Sequence, residues 1–217
     1  VCDVAPLTGI NRVFVTQGGK IMAARGNAGI SALADIAGID EPPSAYHAGF
    51  VLGPRVNAGG RVGESDLGAR LLASNDPVEC QAIARRLDGY NKERRDIELR
   101  CLEEAIDMIE AVPTDPGVVF VAAHGWHAGV IGIVASRLVE RYNRPACVVA
   151  LENGVGKGSG RSVRGVDLGA AIINARQQGL LTNGGGHPMA AGFSVSEGAV
   201  DAFKGFLSEW ISGTMDE

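Results

Sequence analysis

The sequence predicts an α/β fold that is preceded by a long helix and a small helical segment. After residue 117, short all-apolar runs alternate with amphipathic stretches, which is the order of strands and helices in α/β proteins. Before them, apolar residues recur every three or four positions over residues 76–112, which predicts one long helix. Residues 1–50 interleave apolar residues with glycine, which predicts short helices, the last ending at Gly38 and the Pro42–Pro43 pair.

The long helix has recognisable start signals and a charged middle. Asp76 can cap it, Pro77 suits the first helical position, and Glu79 completes a capping box. Seven of the ten residues from Asn91 to Arg100 are charged. About 36 residues at 1.5 Å each would span roughly 54 Å, more than a small domain. We therefore expect this helix to connect two domains, with its middle in solvent.

The C-terminal part contains the predicted sheet. The predicted strands are residues 118–123, 146–151, 156–162 and 190–195, and the predicted helices are residues 129–142, residues 167–178 and a last helix that follows Ser196. Asp167 and Ser196 are predicted to cap the helices that follow them. The last helix is expected to bury Val200, Phe203, Leu207 and Trp210.

Composition and charge argue against several classes of protein. The net charge of −5 disfavours a generally basic nucleic-acid binder but allows a local basic patch. Of the 20 basic residues 16 are Arg, which suits forked recognition of phosphate, although a GC-rich genome would give the same bias. The four cysteines form no C-x-x-C pair, which disfavours a zinc site and a disulfide framework.

Targeting signals are not found in this sequence. No apolar stretch reaches 18 residues without a charge, so we expect no membrane span, and without a signal peptide we expect a cytoplasmic protein. Because the chain begins with Val1 rather than Met and opens into apolar sequence, we expect a fragment of a longer protein.

One candidate anion site lies in residues 156–165, GKGSGRSVRG. Small residues such as Gly160 expose backbone N–H groups, Ser162 supplies a hydroxyl, and Arg161 supplies a planar fork. The segment matches neither the P-loop nor G-x-G-x-x-G nor G-x-S-x-G. The alternative is a flexible hairpin with charged edges.

A second candidate lies in residues 183–188, NGGGHP. The glycines, including Gly185 and Gly186, would let the backbone approach a ligand closely, and His187 could then donate to a phosphate or a base. The alternative is a tight turn with an incidental histidine. Both interpretations remain open at this point.

A third candidate, residues 124–129 (HGWHAG), lies where a predicted strand passes into a helix. Such junctions hold ligands in open α/β sheets, and the helix N-terminus attracts anions. His124 and His127 could hold a metal, but no Cys, Asp or Glu accompanies them, so a structural or substrate-contacting role is favoured.

The fourth candidate lies in residues 51–70, which we predict to be a glycine- and arginine-rich loop. Arg55 and Arg61 flank Asn57 in GPRVNAGGR, which suits contact with a phosphodiester. The alternative is that these arginines pair with acidic neighbours such as Glu64 and Asp66.

The metal-binding motifs of a two-metal nuclease do not occur in this chain. Neither D-x-D nor D-H-H is found, and Asp3 is the one N-terminal aspartate near a strand-like run.

In combination, these motifs resemble the RecJ family of single-strand-specific exonucleases within the DHH phosphoesterase superfamily. The resemblance covers nearly the whole chain and is carried by VCDVAPLTGINR, GPRVNAGGR, WHAGVIGIVASRLVERYNRP, GKGSGRS and GGGHPMAAG. It implies an α/β fold with a DHHA1-type mixed β-sheet flanked by helices, preceded by a long connecting helix and a small helical segment. The implied domains are the C-terminal rim of the DHH domain (1–75), the connecting helix (76–112) and the DHHA1 domain (113–217).

The resemblance also implies a function. The full-length protein would hydrolyse single-stranded DNA in the 5′–3′ direction with Mn²⁺ or Mg²⁺, alongside other recombination and repair proteins. Asp3 matches one metal ligand of the family, and the D-x-D and D-H-H motifs that supply the other ligands do not occur in this chain. The resemblance therefore implies that this fragment binds single strands without cleaving them. The implied nucleic-acid contacts are Arg55, Asn57, Arg61, His127, Gly160, Arg161, Ser162, Gly185, Gly186 and His187.

Two other functions are weighed against this one. The first is a stand-alone nucleic-acid-binding or regulatory module. The second is a DHH-family phosphodiesterase for cyclic dinucleotides or short oligonucleotides. The long helix and the GPRVNAGGR segment argue against this second function. Of the 31 glycines, 17 fall in residues 53–68, 125–132, 154–165 and 184–192, and we interpret them as backbone left bare for a nucleic-acid strand.

Overall fold

The computed structural model describes residues 1–2, 5–111 and 117–215 of the chain, with the backbone alone at residues 214 and 215. Asp3, the predicted metal ligand, lies outside the described residues. The chain divides into two compact units, Val1–Arg95 and Asp96–Glu217, and the boundary falls within one long helix. The division into residues 1–75, 76–112 and 113–217 stays a prediction.

The first unit is helical. Its elements are α1 (Gly9–Ala23), α2 (Ala28–Ile36), a π-helical turn (His47–Leu52), α3 (Gly53–Val62), α4 (Leu67–Ala73) and the first part of α5 (Pro77–Glu110). The Asn27 side chain caps α2 by accepting from the Ile30 N–H at 2.9 Å, and it donates to the Leu72 carbonyl at 3.0 Å. The buried core of this unit consists of Leu33, Ile39, Leu52, Leu67, Leu71, Cys80, Ile83 and Leu87, with three alanines.

The prediction of a loop over residues 51–70 is wrong, because most of that segment is helical. Pro54 stands in the first turn of α3, where its missing N–H is not needed. Gly59 lies so close to the Glu64 carbonyl and the Leu87 side chain that a larger residue would not fit. Tertiary packing therefore stabilises a helix at a position where glycine lowers the intrinsic helix propensity.

Helix α5 begins and ends close to its predicted bounds. The Asp76 carboxylate accepts from the Val78 N–H at 2.9 Å, as expected for the residue before the helix. The Asp76 N–H donates to Ser74 Oγ at 3.2 Å, and Ser74 Oγ donates to Glu79 Oε2 at 2.7 Å. The capping box predicts a direct hydrogen bond from the Asp76 N–H to Glu79. In the structure the Ser74 hydroxyl connects these two groups instead.

The start of α5 is expected to contribute stability that depends on pH. Hydrogen bonds from Ser74 and Arg70 hold the pKa of Glu79 below its ordinary value of 4.5. Because the folded-state pKa is the lower one, the stabilisation is present above about pH 4.5 and is lost as the pH falls through the folded value. Glu79→Gln should therefore lower the urea midpoint near pH 7 and have a smaller effect near pH 3. The exposed Glu93→Gln on the same helix is the control and should shift the two midpoints equally.

The second unit contains a mixed sheet flanked by helices, as predicted, and this sheet has five strands, one more than the four predicted. The strands are β1 (Val119–His124), β2 (Ala146–Glu152), β3 (Val155–Arg161), β4 (Asn183–His187) and β5 (Ala190–Ser196), in the order β1-β2-β3-β5-β4. The pairing of β1 with β2 is parallel and the other pairings are antiparallel. The helices are α6 (Ile131–Tyr142), α7 (Leu168–Gln177) and α8 (Val200–Met215).

Helices pack on both sides of this sheet. On one side, α7 and α8 form the larger core, whose biggest buried side chains are Phe193, Phe203, Leu168, Ile172, Leu207 and Ile211. On the other side, α6 packs over β2 and β3. Asp167 caps α7 as predicted, since its carboxylate accepts from the Ala170 N–H at 2.9 Å.

Two local predictions in this unit need correction. Residues 183–187 form strand β4 and not a tight turn, because backbone pairing with β5 is available to glycine as to any residue. The alternative of a ligand site in this segment stays a prediction. Ser196 does not cap α8 with its side chain, because a 3-10 turn (Glu197–Ala199) comes between them. Phe203 and Leu207 are buried as predicted, whereas Val200 and Trp210 are half-buried. Within the described residues, no helix is long and apolar enough to cross a membrane.

Candidate nucleic-acid interface

The glycines of β3 face the protein core. An added Cβ at Gly156 would lie 2.6 Å from Val149, one at Gly160 would lie 2.6 Å from Leu168, and one at Gly158 would lie closer than 3.0 Å to the Phe193 ring. The large core residues therefore occupy the space that side chains would take. The interpretation of these glycines as backbone left bare for a ligand is wrong, and Gly160 has a packing role.

The alternate residues of β3 point to the other side of the sheet. In the pairing register, Lys157 lies beside Ser194 and Asn183, Ser159 beside Gly192 and Gly185, and Arg161 beside Ala190 and His187. This surface, the open face, is bordered by the first turn of α6, which lies against Ser159 and Arg161. It consists of Lys157, Ser159, Arg161, Asn183, Gly185, His187, Ala190, Gly192 and Ser194. It carries basic and neutral polar residues and includes no Asp or Glu, so it is a local basic patch on an acidic chain.

Two glycines leave the middle of the open face bare. Gly185 and Gly192 pair directly, and a Cβ added at either would meet no atom of the described chain within 4 Å. Gly184 and Gly186 differ, because added Cβ atoms would lie 2.8 Å from Ile172 and 2.5 Å from the Ala190 carbonyl. Of the predicted site glycines, Gly185 is therefore the one whose missing side chain leaves a surface open.

Arg161 lies at one end of the open face, against the first turn of α6. Its Nη1 donates to Ser159 Oγ at 3.1 Å and to the Gly160 carbonyl at 2.8 Å. A Cβ added at Gly132, the second residue of α6, would lie 3.1 Å from Arg161 Nη2. The guanidinium and the positive end of the helix dipole therefore lie side by side, and both attract an anion.

Ser162 holds a turn in the structure. Its side chain is buried, Oγ donates to the Val166 carbonyl at 2.8 Å, and its N–H donates to the Met189 carbonyl at 3.0 Å. Contact of this hydroxyl with a phosphate stays a prediction, and it would require the bond to Val166 to open.

His187 is exposed at the end of the hairpin that joins β4 to β5. The hairpin is held from outside, because the Leu168 N–H donates to the Pro188 carbonyl at 3.1 Å. Gly169 allows this approach, since a Cβ there would lie 2.9 Å from the His187 carbonyl carbon. His187 therefore lies in the same row across the sheet as Arg161, with Ala190 of β5 between them, on a backbone that is fixed.

The turn after β1 borders a cavity of about 320 Å³, which is lined by Ile97, Arg100, Cys101, Glu104, His124, Gly125, Trp126 and His127. Trp126 is buried and donates to Glu104 at 2.7 Å, so it fixes the turn on α5. Burial, with a contribution from Glu104, raises the pKa of the Cys101 thiol to about 12, which keeps it protonated. Sequence reasoning did not identify Glu104, because its partner is 22 residues away.

The two histidines of this turn have separate partners. His124 Nε2 lies 2.8 Å from Glu197 Oε1, and His127 Nδ1 accepts from the Gly129 N–H at 3.0 Å. Among the described residues, no group of three His, Cys, Asp or Glu side chains could hold a metal ion. A structural role for His124 and His127 fits this geometry better than the metal alternative, and contact of His127 with nucleic acid stays a prediction.

In the first unit, Arg55 is held by an internal ion pair. Its Nε donates to Asp88 Oδ1 at 2.9 Å and its Nη1 donates to the Val51 carbonyl at 2.8 Å, and the side chain is 13% exposed. Burial raises the pKa of Asp88, but hydrogen bonds from Lys92 and Arg55 outweigh it and hold this pKa below its ordinary value. Arg55 therefore joins α3 to α5 and pairs with neither Glu64 nor Asp66.

Asn57 and Arg61 lie on the same helix as Arg55. Asn57 Nδ2 donates to Cys2 Sγ at 3.5 Å, which brings Asn57 next to the residue that precedes Asp3. Arg61 is exposed in the last turn of α3. Roles for these three residues in nucleic-acid binding stay predictions.

Comparison with known proteins gives matches over the whole chain. Residues 115–213 match the DHHA1 domain. The single-stranded-DNA-specific exonuclease RecJ of Bacillus subtilis is 37% identical over 220 residues, which is 100% of this chain and 28% of that protein. The RecJ exonuclease of Escherichia coli is 36% identical over 225 residues, which is 100% of this chain and 39% of that protein.

A solved structure agrees with these matches. The crystal structure of RecJ from Thermus thermophilus in complex with Mg²⁺ has a TM-score of 0.87 and 32% identity, over 98% of this chain and 33% of that chain. The chain therefore spans 28% to 39% of the length of the two curated relatives described above.

Proposed function

Because this chain belongs to the RecJ exonuclease family and carries its DHHA1 domain, we propose that it is part of a 5′–3′ single-stranded-DNA exonuclease of recombination and repair. Within that protein it supplies binding of the single strand, and alone it does not cleave. The observation that carries this proposal is the open face, where basic side chains surround two bare glycines.

The open face suits a single strand in two ways. Arg161 and the N-terminus of α6 together provide a site for one phosphate, with the guanidinium as a fork. Gly185 and Gly192 leave a flat surface on which a sugar or a base can lie. A narrow groove for one strand also agrees better with the net charge of −5 than a broad face for duplex DNA.

We assign metal binding mainly to the part of the proposed enzyme that lies outside this chain. The described residues do not supply a set of ligands for Mn²⁺ or Mg²⁺, and Asp3 is the one proposed ligand in this chain. We therefore assign hydrolysis to the longer protein and positioning of the strand to this part of it.

An activity measurement tests this assignment. The purified chain, incubated with Mn²⁺ and 5′-phosphorylated single-stranded DNA, is expected to leave the DNA intact. Degradation that Asp3→Asn abolishes would show that the chain contains a working metal site and that the assignment is wrong.

A binding measurement tests the proposed ligand. Fluorescence anisotropy with an oligonucleotide of about 12 nucleotides should give an affinity that falls linearly with the logarithm of the salt concentration. Tighter binding of a cyclic dinucleotide would instead favour the phosphodiesterase function. No binding of either ligand would contradict the proposal.

A further inference from the structure

One glycine in the first turn of α6 has an ordinary helical backbone. Gly132 is the second residue of that helix and does not have the positive φ that would favour glycine. An alanine could adopt the same backbone conformation and would favour the helix more strongly. A requirement for space therefore explains this glycine better than a requirement for backbone freedom.

The space beside Gly132 is taken by two side chains of β3. A Cβ added at Gly132 would lie 3.0 Å from Ser159 Oγ and 3.1 Å from Arg161 Nη2. Both distances are shorter than a favourable van der Waals contact, so a methyl group there would push these atoms away. Because the guanidinium is planar and rigid, a push on Nη2 moves the whole fork. The same fork is held through Nη1, which donates to Ser159 Oγ at 3.1 Å and to the Gly160 carbonyl at 2.8 Å.

Helix α6 has little freedom to move away from these two side chains. Four of its apolar residues are buried and fasten it in place, namely Ile131, Val134, Ala135 and Leu138. The atoms beside Gly132, in contrast, lie at the ends of side chains that can rotate. A methyl group at position 132 would therefore displace the Arg161 guanidinium and the Ser159 hydroxyl, and the helix and the sheet would stay where they are.

The start of α6 is open to an anion. Val130 precedes the helix, and its apolar side chain does not cap the N–H groups of the first turn. The positive end of the helix dipole therefore lies beside the guanidinium without a carboxylate or hydroxyl cap from that residue. An anion can be bound by both groups together only while the fork keeps its place against the first turn.

We propose that Gly132 is a positioning residue of this phosphate site. Its missing side chain leaves the space in which the Arg161 guanidinium lies against the first turn of α6. This inference rests on the proposed function and adds to it a residue that acts through Arg161. Hydrogen bonds weaken as their distance and angle depart from the optimum, so a displaced fork binds the phosphate less tightly.

The test separates binding from stability. Gly132→Ala should weaken binding of oligothymidine of about 12 nucleotides roughly three- to tenfold, because charge-assisted hydrogen bonds to the phosphate are weakened. Its Tm should stay within a few degrees of the wild-type value. Gly205→Ala is the matched control, since it makes the same replacement in helix α8, where an added Cβ meets no atom of the described chain within 4 Å. It should leave the affinity unchanged.

A double-mutant cycle tests whether Gly132 acts through Arg161. In the Arg161→Ala background there is no guanidinium to displace, so Gly132→Ala should cause little or no further loss of affinity. An equal loss in both backgrounds would overturn the proposal, because it would mean that the methyl group acts independently of Arg161. A large fall in the Tm of Gly132→Ala would also overturn it and assign this glycine to the stability of the fold.

The remaining outcomes distinguish this inference from the proposed function. If Arg161→Ala weakens binding and Gly132→Ala does not, the inference fails and the proposed function stands. If Arg161→Ala leaves the affinity unchanged, the phosphate site at Arg161 is wrong and the inference fails with it. If the wild-type chain does not bind the single strand, both fail.

Discussion

Replacing Gly158 with alanine is expected to destabilise the protein by about 3 kcal/mol, at the upper end for an overpacked core. The new methyl group would lie closer than 3.0 Å to the Phe193 ring. That ring is buried and packs edge-on against Phe203 with centroids 4.9 Å apart, so it has nowhere to move. The change should lower Tm by roughly 6–12 °C, because 1 kcal/mol corresponds to about 2–4 °C in chains of this size.

Gly185→Ala is the matched control for Gly158→Ala. A Cβ at Gly185 meets nothing within 4 Å, so its Tm should be unchanged or slightly higher, since alanine reduces the entropy of the unfolded chain. Its binding of single-stranded DNA should nevertheless fall, because the methyl group occupies the bare surface. Thermal unfolding and anisotropy on the same samples would measure both effects. A strong loss of stability in Gly185→Ala would contradict the distinction between core-facing and open-face glycines.

Arg161→Ala is expected to weaken binding of a single strand about tenfold or more, since a hydrogen bond to a charged group contributes about 1.5–3 kcal/mol. The slope of log affinity against log salt should also become shallower by about 0.7, the value expected when the protein neutralises one phosphate fewer on a single strand. Both effects follow from the position of the guanidinium beside the first turn of α6.

Arg164→Ala provides the comparison for Arg161→Ala. It removes the same charge from an exposed position three residues further on, outside the open face. Titrations at several salt concentrations should show a smaller loss of affinity for Arg164→Ala than for Arg161→Ala. Arg161→Lys should fall between wild type and Arg161→Ala, because lysine keeps the charge and lacks the fork. Equal losses for Arg161→Ala and Arg164→Ala would mean that charge alone matters and that Arg161 makes no specific contact.

Elements with strong local signals can be predicted well from the sequence. Helix α5 is predicted over residues 76–112 and runs from Pro77 to Glu110, because helical spacing and the Asp76 cap depend on neighbouring residues. The ends of strands β1 and β2 differ from the predicted ends by at most one residue, because a run of apolar residues is also a local signal. Helix α3 is missed, because its glycines disfavour a helix locally and contacts from distant residues such as Leu87 stabilise it.

The candidate site can be predicted only in part. The motifs identify Arg161, Gly185 and His187, which the structure places on the same sheet surface. They also identify Gly160, which packs against Leu168, and Arg55, which is paired with Asp88. A motif gives residue types in order along the chain, and it does not say which side of a strand faces the core. Gly192 is not identified, because its place beside Ser159 and Gly185 depends on how β5 pairs with β3 and β4.

By itself, the sequence determined the long helix, the alternation of strands and helices after it, the mixed sheet expected from the family resemblance, and the family. Periodicity, capping residues and motifs carry that information, and each is a property of residues close together in the chain. The tertiary structure alone decided which glycines fill the core and which are bare. Which glycines face the core depends on the strand register, which places Ser159, Gly192 and Gly185 in one row across three strands. Side-chain packing over the whole sheet selects this register.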